Sequence, residues 1–253
     1  MKRIFLDTDN AIRLGELISL AQDRFHYLID VLRLKVGDSI LIVDKINNVW
    51  KALIEDVGDK YLKLRIITLL KEENKELPAK IYLYQSVLKN KNTDIVIQKA
   101  TELGVFEIHP IITKRSVVIP KEERSKKRVD RWQKIAEGAS EQSGRTVVPK
   151  VFHLMSIADS LKSLPEDCFY IVPWEEENLI NIKSVFHKRN DSYRSVAVFI
   201  GPEGGFDYEE VKAIKDLGGV SVSLGTRILR SETAAIYLMS VLNYELVEGI
   251  GCD

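Results

Sequence analysis

Short strand-like apolar runs occupy residues 39–43, 49–55 and 61–67, the last of them alternating with polar positions. Lys45-Ile46-Asn47-Asn48 and Gly58-Asp59-Lys60 separate these runs with residues suited to tight turns. One helical stretch is expected over 26–34. The charged run Lys71-Glu72-Glu73-Asn74-Lys75-Glu76-Leu77-Pro78, closed by a proline, reads as a linker. Beyond it the pattern changes. Apolar, β-rich runs at 81–88, 108–112, 169–172, 196–200 and 220–224 are interspersed with helical patterns at 94–103, 121–142, 179–186, 208–217 and 232–246. Gly104 is placed to end the first of these helices, and Asp207 with Glu210 forms a capping-box pattern. Such alternation predicts a mostly parallel sheet covered by helices. No internal repeat or low-complexity segment interrupts it.

Composition narrows the classes. The chain has 253 residues, 45% of them hydrophobic, with 37 Lys+Arg against 37 Asp+Glu. No net field draws the whole molecule to a polyanion, so a nucleic-acid surface has to be local. Cys168 sits in an apolar run and Cys252 next to the C-terminus, which supports neither a disulfide framework nor a zinc site. No run approaches the ~20 apolar residues that span a bilayer. The start, Met1-Lys2-Arg3-Ile4-Phe5-Leu6-Asp7, leads into no apolar signal core. The expectation is a cytoplasmic protein without membrane or metal.

Two segments directly follow strand-like runs: Gly201-Pro202-Glu203-Gly204-Gly205-Phe206 and Leu224-Gly225-Thr226-Arg227-Ile228-Leu229-Arg230-Ser231-Glu232-Thr233-Ala234-Ala235. Glycine at a strand's carboxyl end exposes main chain to a ligand, and a following helix start offers unpaired N–H groups. A tight β-to-α turn is the plainer reading of either segment alone. Neither contains G-x-G-x-x-G or the G-K-[ST] of a phosphate loop, so dinucleotide and ATP binding lose their usual support. Arg227 and Arg230, three residues apart, suit an anionic ligand or RNA. Taken singly, each arginine serves equally well to pair with Glu203 or Glu232. Ser231 is placed to cap a helix beginning at Glu232. Ile200, Leu224, Ile228 and Leu229 read individually as core, but their position beside glycine turns suits the wall of an apolar slot.

With matching segments elsewhere, the chain resembles the RsmE family of rRNA uracil-N3 methyltransferases, members of the SPOUT (trefoil-knot) superfamily. The matching segments are His26 with Val31-Leu32-Arg33-Leu34-Lys35-Val36-Gly37-Asp38, then Lys99-Ala100-Thr101-Glu102-Leu103-Gly104-Val105, Arg115-Ser116, Glu141-Gln142-Ser143-Gly144-Arg145 and Val148-Pro149. Thr226 stands where the family often has proline, and Ser231 where it often has threonine. The resemblance implies an α/β protein with an N-terminal PUA-like RNA-binding β-barrel over residues 1–71 and a SPOUT methyltransferase domain over 78–253. It implies S-adenosyl-L-methionine as cofactor, held by the loops that contain Ile200, Gly201, Glu203, Gly204, Gly205, Leu224, Gly225, Ile228 and Leu229. It also implies 16S rRNA or the small ribosomal subunit as partner, and a homodimer. The knot follows from the family alone, since general connection rules favour an unknotted, Rossmann-like sheet.

Methylation at uracil N3 requires loss of the imide proton, and a donor beside O2 or O4 stabilises the ring anion that develops. Arg230 is the first candidate for that catalytic task, while Arg227 suits the RNA backbone or the loop. None of the four histidines lies in a signature loop. Glu232 is able to accept a proton, although a carboxylate at a helix start commonly serves the dipole. Residues 113–150 hold eleven Lys/Arg and five Asp/Glu, a local net of +6 that suits phosphate contacts. Arg115 and Arg145 lie outside its densest run and are the candidates for specific RNA contacts. Arg3, Arg24, Arg33 and Lys35 add a possible RNA platform in the first domain. A noncatalytic RNA-binding or ribosome-assembly protein is the alternative; the intact glycine loops and both loop arginines favour the enzyme.

Overall fold

A computed structural model describes residues 1–6, 11–71, 75–187 and 194–246. Cys252 and the middle of the expected linker, residues 72–74, lie outside the described residues. The chain divides into two compact units, Met1–Glu76 with Ser140–Val147, and Leu77–Ala139 with Val148–Asp253. Residues 140–147 therefore belong with the first unit, although a boundary read along the chain assigns them to the second.

The first unit carries β1 (Lys2–Phe5), β2 (Leu17–Ala21), α1 (Gln22–His26), a π-helical turn (Tyr27–Val31), β3 (Ser39–Val43), β4 (Val49–Val57) and β5 (Tyr61–Leu70). Its sheet order is β1-β3-β4-β5-β2, antiparallel except for the β1–β3 pair. Alternate residues Ile40 and Ile42, Ala52 and Ile54, and Leu62, Leu64 and Ile66 turn inward to one core. Register shifts between β4 and β5 bend the strands. This is the PUA-like β-domain of the expected class. The helix expected over 26–34 begins earlier and stops at Val31, because Arg33 takes a φ of 55°, which no right-handed helix accommodates.

The second unit alternates β6 (Lys80–Ser86), α2 (Asn92–Glu102), β7 (Glu107–Ile112), α3 (Glu122–Ser143, which runs on into the first unit), β8 (Lys150–Val151), β9 (Met155–Ser156), α4 (Ile157–Lys162), β10 (Phe169–Pro173), α5 (Ile182–His187), β11 (Ser195–Ile200), α6 (Tyr208–Asp216), β12 (Val220–Val222) and α7 (Ser231–Leu246). The sheet is parallel throughout, in the order β12-β10-β11-β6-β7-β8, with β9 also on β7. Both faces are buried, so the central strands β10 and β11 read as nearly continuous apolar runs. Val196, Val198 and Ile200 face one core with Ile81 and Leu83, while Ala197 and Phe199 face a second core with Tyr84.

The chain leaves β11, crosses beyond β10 to form β12, and returns as α7 to pack against β11 and α2. That return suits the winding of the expected SPOUT class. Asp207 and Glu210 complete the capping box of α6. Among the described residues no helix is long and apolar enough to cross a membrane, and no group of three or more His, Cys, Asp or Glu side chains is gathered to hold a metal.

Candidate active site

Because β12, β10 and β11 are parallel neighbours, the loops that follow them emerge at one edge of the sheet. These three loops enclose a cavity of about 400 Å³. All nine residues expected at the cofactor, Ile200, Gly201, Glu203, Gly204, Gly205, Leu224, Gly225, Ile228 and Leu229, line it together with Arg227. Ile200 is buried in the floor, whereas Ile228 is 89% exposed and belongs to the rim.

The β10 loop, Pro173 to Asn178, supplies a third wall through Trp174, Glu175 and Glu177. The sequence reading missed this wall. Its only local signal is an acidic run directly after an apolar strand, and its place in the site depends on the strand order.

The glycines have separate tasks. The loop after β11 curls so tightly that a Cβ on Gly201 would lie 3.2 Å from the Phe206 nitrogen and 3.3 Å from the Gly205 carbonyl carbon. Gly205 has φ 69° and donates its N–H to the Pro202 carbonyl at 3.0 Å. Gly225 has φ 121°, a value closed to side-chain-bearing residues, and faces open space. A Cβ on Gly204 would instead point at the Arg115 side chain, at 3.5 Å from its Cβ.

Polar contacts hold the walls. Lys89 N–H donates to Glu203 Oε1 at 2.8 Å, and Arg115 Nη1 donates to the Gly204 carbonyl at 3.1 Å. Lys114 Nζ lies 3.1 Å from Asp207 Oδ1, while the Lys114 N–H donates to Glu210 Oε1 at 2.7 Å. The Ser221 hydroxyl, with N–H groups of Leu179 and Ile180, holds the Glu177 carboxyl below the usual carboxylate range. Glu177 is therefore an anion in the wall. Ser231 Oγ donates to the Gly201 carbonyl and accepts from Gln85 Nε2. It thus joins α7 to the glycine loop, a different employment from the helix cap expected of it.

These walls fit S-adenosyl-L-methionine. Glu175, Glu177 and Glu203 give the cavity a carboxylate-rich lining that complements a sulfonium and an ammonium and opposes phosphates. Ile200, Leu224 and Leu229 offer apolar surface for a purine. The buried Trp174 Nε1 has no partner among the described residues and is available as a donor.

Arg230 is exposed directly before Ser231, outside the residues that line the cavity. Arg33 and Lys35 are exposed in the first unit. Arg24 pairs with Glu141 at 2.7 Å and is 30% exposed. Arg3 and Arg145 require correction as RNA contacts. Arg3 is 6% exposed and donates to the carbonyls of Gly144 and Arg145 at 2.8 and 3.1 Å, while Arg145, 5% exposed, pairs with Glu76. Burial in the first unit leaves neither guanidinium open to a phosphate. Within α3, Arg131 pairs with Asp94, and Arg124, Lys126, Lys127 and Lys134 are exposed.

Comparison with known proteins matches residues 75–243 to the RNA methyltransferase domain and residues 20–67 to the RNA methyltransferase PUA domain. The ribosomal RNA small subunit methyltransferase E of Bacillus subtilis is 32% identical, over 98% of this chain and 99% of its own length. A methyltransferase of Legionella pneumophila, solved with bound SAM, is 32% identical with a TM-score of 0.81, covering 96% of this chain and 98% of that one. The ribosomal RNA small subunit methyltransferase E of Neisseria gonorrhoeae, solved with S-adenosyl methionine, is 27% identical with a TM-score of 0.85, covering 96% of this chain and 97% of that one.

Proposed function

This chain belongs to the RsmE family of RNA methyltransferases, and from that premise we propose how its residues divide the work of methylating N3 of a uridine in small-subunit rRNA with S-adenosyl-L-methionine. The observation that carries the reading is the convergence of the β10, β11 and β12 loops on one carboxylate-lined cavity.

The cofactor supplies an electrophilic methyl group. Main-chain groups of Gly201, Gly204, Gly205 and Gly225 would meet it along the loop turns, Ile200, Leu224, Ile228 and Leu229 would flank its apolar part, and Glu203, Glu175 and Glu177 would offset its positive charge. Arg230, exposed at the start of α7, meets the target ring and donates to a uracil oxygen as negative charge develops there. Arg227, at the cavity wall, holds the adjoining RNA backbone. Arg24, Arg33 and Lys35 of the PUA-like unit, Arg115, and the exposed cations of α3 contribute phosphate contacts, which set affinity and register more than base identity.

A homodimer through the second unit completes the reading. Tyr237 and Tyr244 on α7, 43% and 81% exposed, supply apolar surface for it, and light scattering of the full chain reads the mass directly. A cytoplasmic location suits an enzyme that acts on ribosomal RNA.

The deciding experiment combines calorimetry with S-adenosylmethionine, NAD and ATP with nucleoside analysis of rRNA from cells lacking the protein. Binding of S-adenosylmethionine alone and loss of one N3-methyluridine are expected. Tight NAD or ATP binding without a response to S-adenosylmethionine overturns the assignment.

A further inference from the structure

We propose that Glu175 is the carboxylate by which this cavity selects a cationic ligand, and that it sets the preference for S-adenosyl-L-methionine over uncharged adenosine thioethers. This rests on the cofactor reading above and assigns to one wall residue a task that reading gives to three.

Glu175, Glu177 and Glu203 all line the cavity, but their oxygens are not equally free. Glu177 is buried and fully engaged: Oε1 accepts from the Leu179 and Ile180 N–H groups at 2.9 and 3.1 Å, and Oε2 accepts from the Ser221 hydroxyl. Its charge is committed to shaping the turn after β10. Glu203 gives Oε1 to the Lys89 N–H at 2.8 Å, which ties the β11 loop to the chain beyond β6. Glu175 is exposed and makes no hydrogen bond or ion pair among the described residues, not even to Arg227 in the same wall.

Contact nonetheless defines where that carboxyl group sits. A Cβ on Gly205 would collide with Glu175 Oε1 and lie 2.8 Å from Glu175 Cδ, so the group rests over the Gly205 α-carbon, in space that glycine leaves open. At this point the β10 loop reaches across to the β11 loop, and both residues border the cavity. Glycine is therefore required at 205 twice, by its φ of 69° and by the carboxyl group above it.

A carboxylate only accepts, and one whose oxygens have no partner at a cavity wall attracts whatever cation enters. S-adenosyl-L-methionine carries a sulfonium and an ammonium. S-adenosylhomocysteine keeps the ammonium alone, and 5′-methylthioadenosine has neither, while all of them share the adenosine that the apolar wall would take. An uncommitted charge thus acts on the cationic ligands and spares the neutral one. A role confined to packing on Gly205 treats them alike.

The test is calorimetry of the full chain, wild type beside Glu175→Gln, which keeps the shape against Gly205 and removes the charge. The Kd for S-adenosyl-L-methionine should rise about fivefold, the upper worth of a partly exposed ion pair. The Kd for 5′-methylthioadenosine, measured by displacement, should stay within about twofold. The loss should shrink as salt rises, because screening weakens the attraction. A loss shared by S-adenosylhomocysteine assigns the contact to the ammonium, and one confined to S-adenosyl-L-methionine assigns it to the sulfonium. Unchanged affinity for S-adenosyl-L-methionine in Glu175→Gln overturns the proposal, as does an equal loss for 5′-methylthioadenosine, which marks a structural role. Failure of the wild-type protein to bind S-adenosyl-L-methionine at all sinks the underlying cofactor reading instead.

Discussion

Arg115 Nη1 donates to the Gly204 carbonyl at 3.1 Å, so the turn after β7 is tied to the glycine loop after β11. The same guanidinium lies 3.7 Å from Asp207 Oδ2, on the residue that caps α6. A cation that in sequence suits a phosphate contact therefore also sets the shape of the cofactor wall. Its side chain is 44% exposed, which leaves one flank open to solvent.

Arg115→Ala should therefore weaken cofactor binding in the absence of RNA. One partly exposed hydrogen bond contributes about 1 kcal/mol, roughly a fivefold rise in Kd. Calorimetry with S-adenosylmethionine alone measures it, and unchanged affinity would show that the loop holds its shape without this tether.

The glycines separate by conformation. Gly225→Ala forces a side-chain-bearing residue to φ 121° at the cavity wall and should cost about 1–3 kcal/mol, felt in folding, cofactor affinity or both. Gly204→Ala places a methyl in ordinary contact with Arg115 and should leave cofactor affinity within about twofold. Thermal melts and calorimetry on the two variants together give the contrast; equal effects would refute it.

Arg145→Ala should act on stability before it acts on RNA. The arginine is buried against Glu76, and removing one partner of such a pair costs about 3 kcal/mol by leaving the other charge uncompensated. Denaturant unfolding should register the loss, while the salt slope of RNA binding in the folded variant should remain that of the wild type. A reduced slope would return Arg145 to the RNA interface.

These residues show what reading along the chain recovers. The loops at Gly201 and Leu224 are visible because glycine punctuation follows directly on apolar runs, and the α6 capping box lies within four residues. The wall at Trp174 is not visible, because it joins the site only when β10 pairs between β11 and β12. The same holds for β1, whose four residues are ordered by parallel pairing with a strand more than thirty positions away. Arg3 and Arg145 look like surface cations in sequence. Their burial follows from the return of residues 140–147 to the first unit, which no local pattern signals.

His109 introduces a pH dependence. Burial holds its imidazole below the ordinary histidine value, outweighing the opposing hydrogen bond to Glu107 at 3.1 Å. The unfolded chain, with its histidine near pKa ~6.5, therefore binds a proton that the folded state refuses. Stability should fall as pH drops below about 6.5, with no contribution to the slope well above it. His109→Phe keeps a ring between Tyr84 and Phe152, stacked at 4.6 and 4.3 Å in the wild type, and should flatten the dependence of Tm on pH. An identical slope in both proteins would assign the effect to other groups.

Arg230→Lys should impair turnover more than cofactor binding. The charge survives, but the planar fork proposed to meet a uracil oxygen is lost, and an ammonium on a flexible stem does not reproduce it. Arg230 is exposed and outside the residues that line the cavity, so cofactor affinity should change little. Arg227 lines the wall, and Arg227→Lys should instead appear in RNA or cofactor affinity. Single-turnover methyl transfer at saturating cofactor and RNA separates the chemical step from binding. A loss of about 10²-fold in Arg230→Lys is expected, comparable to removing one donor from a preorganised anion site. A wild-type single-turnover rate would make Arg230 an RNA-holding residue, and the donor to the uracil ring would have to be sought elsewhere along the start of α7.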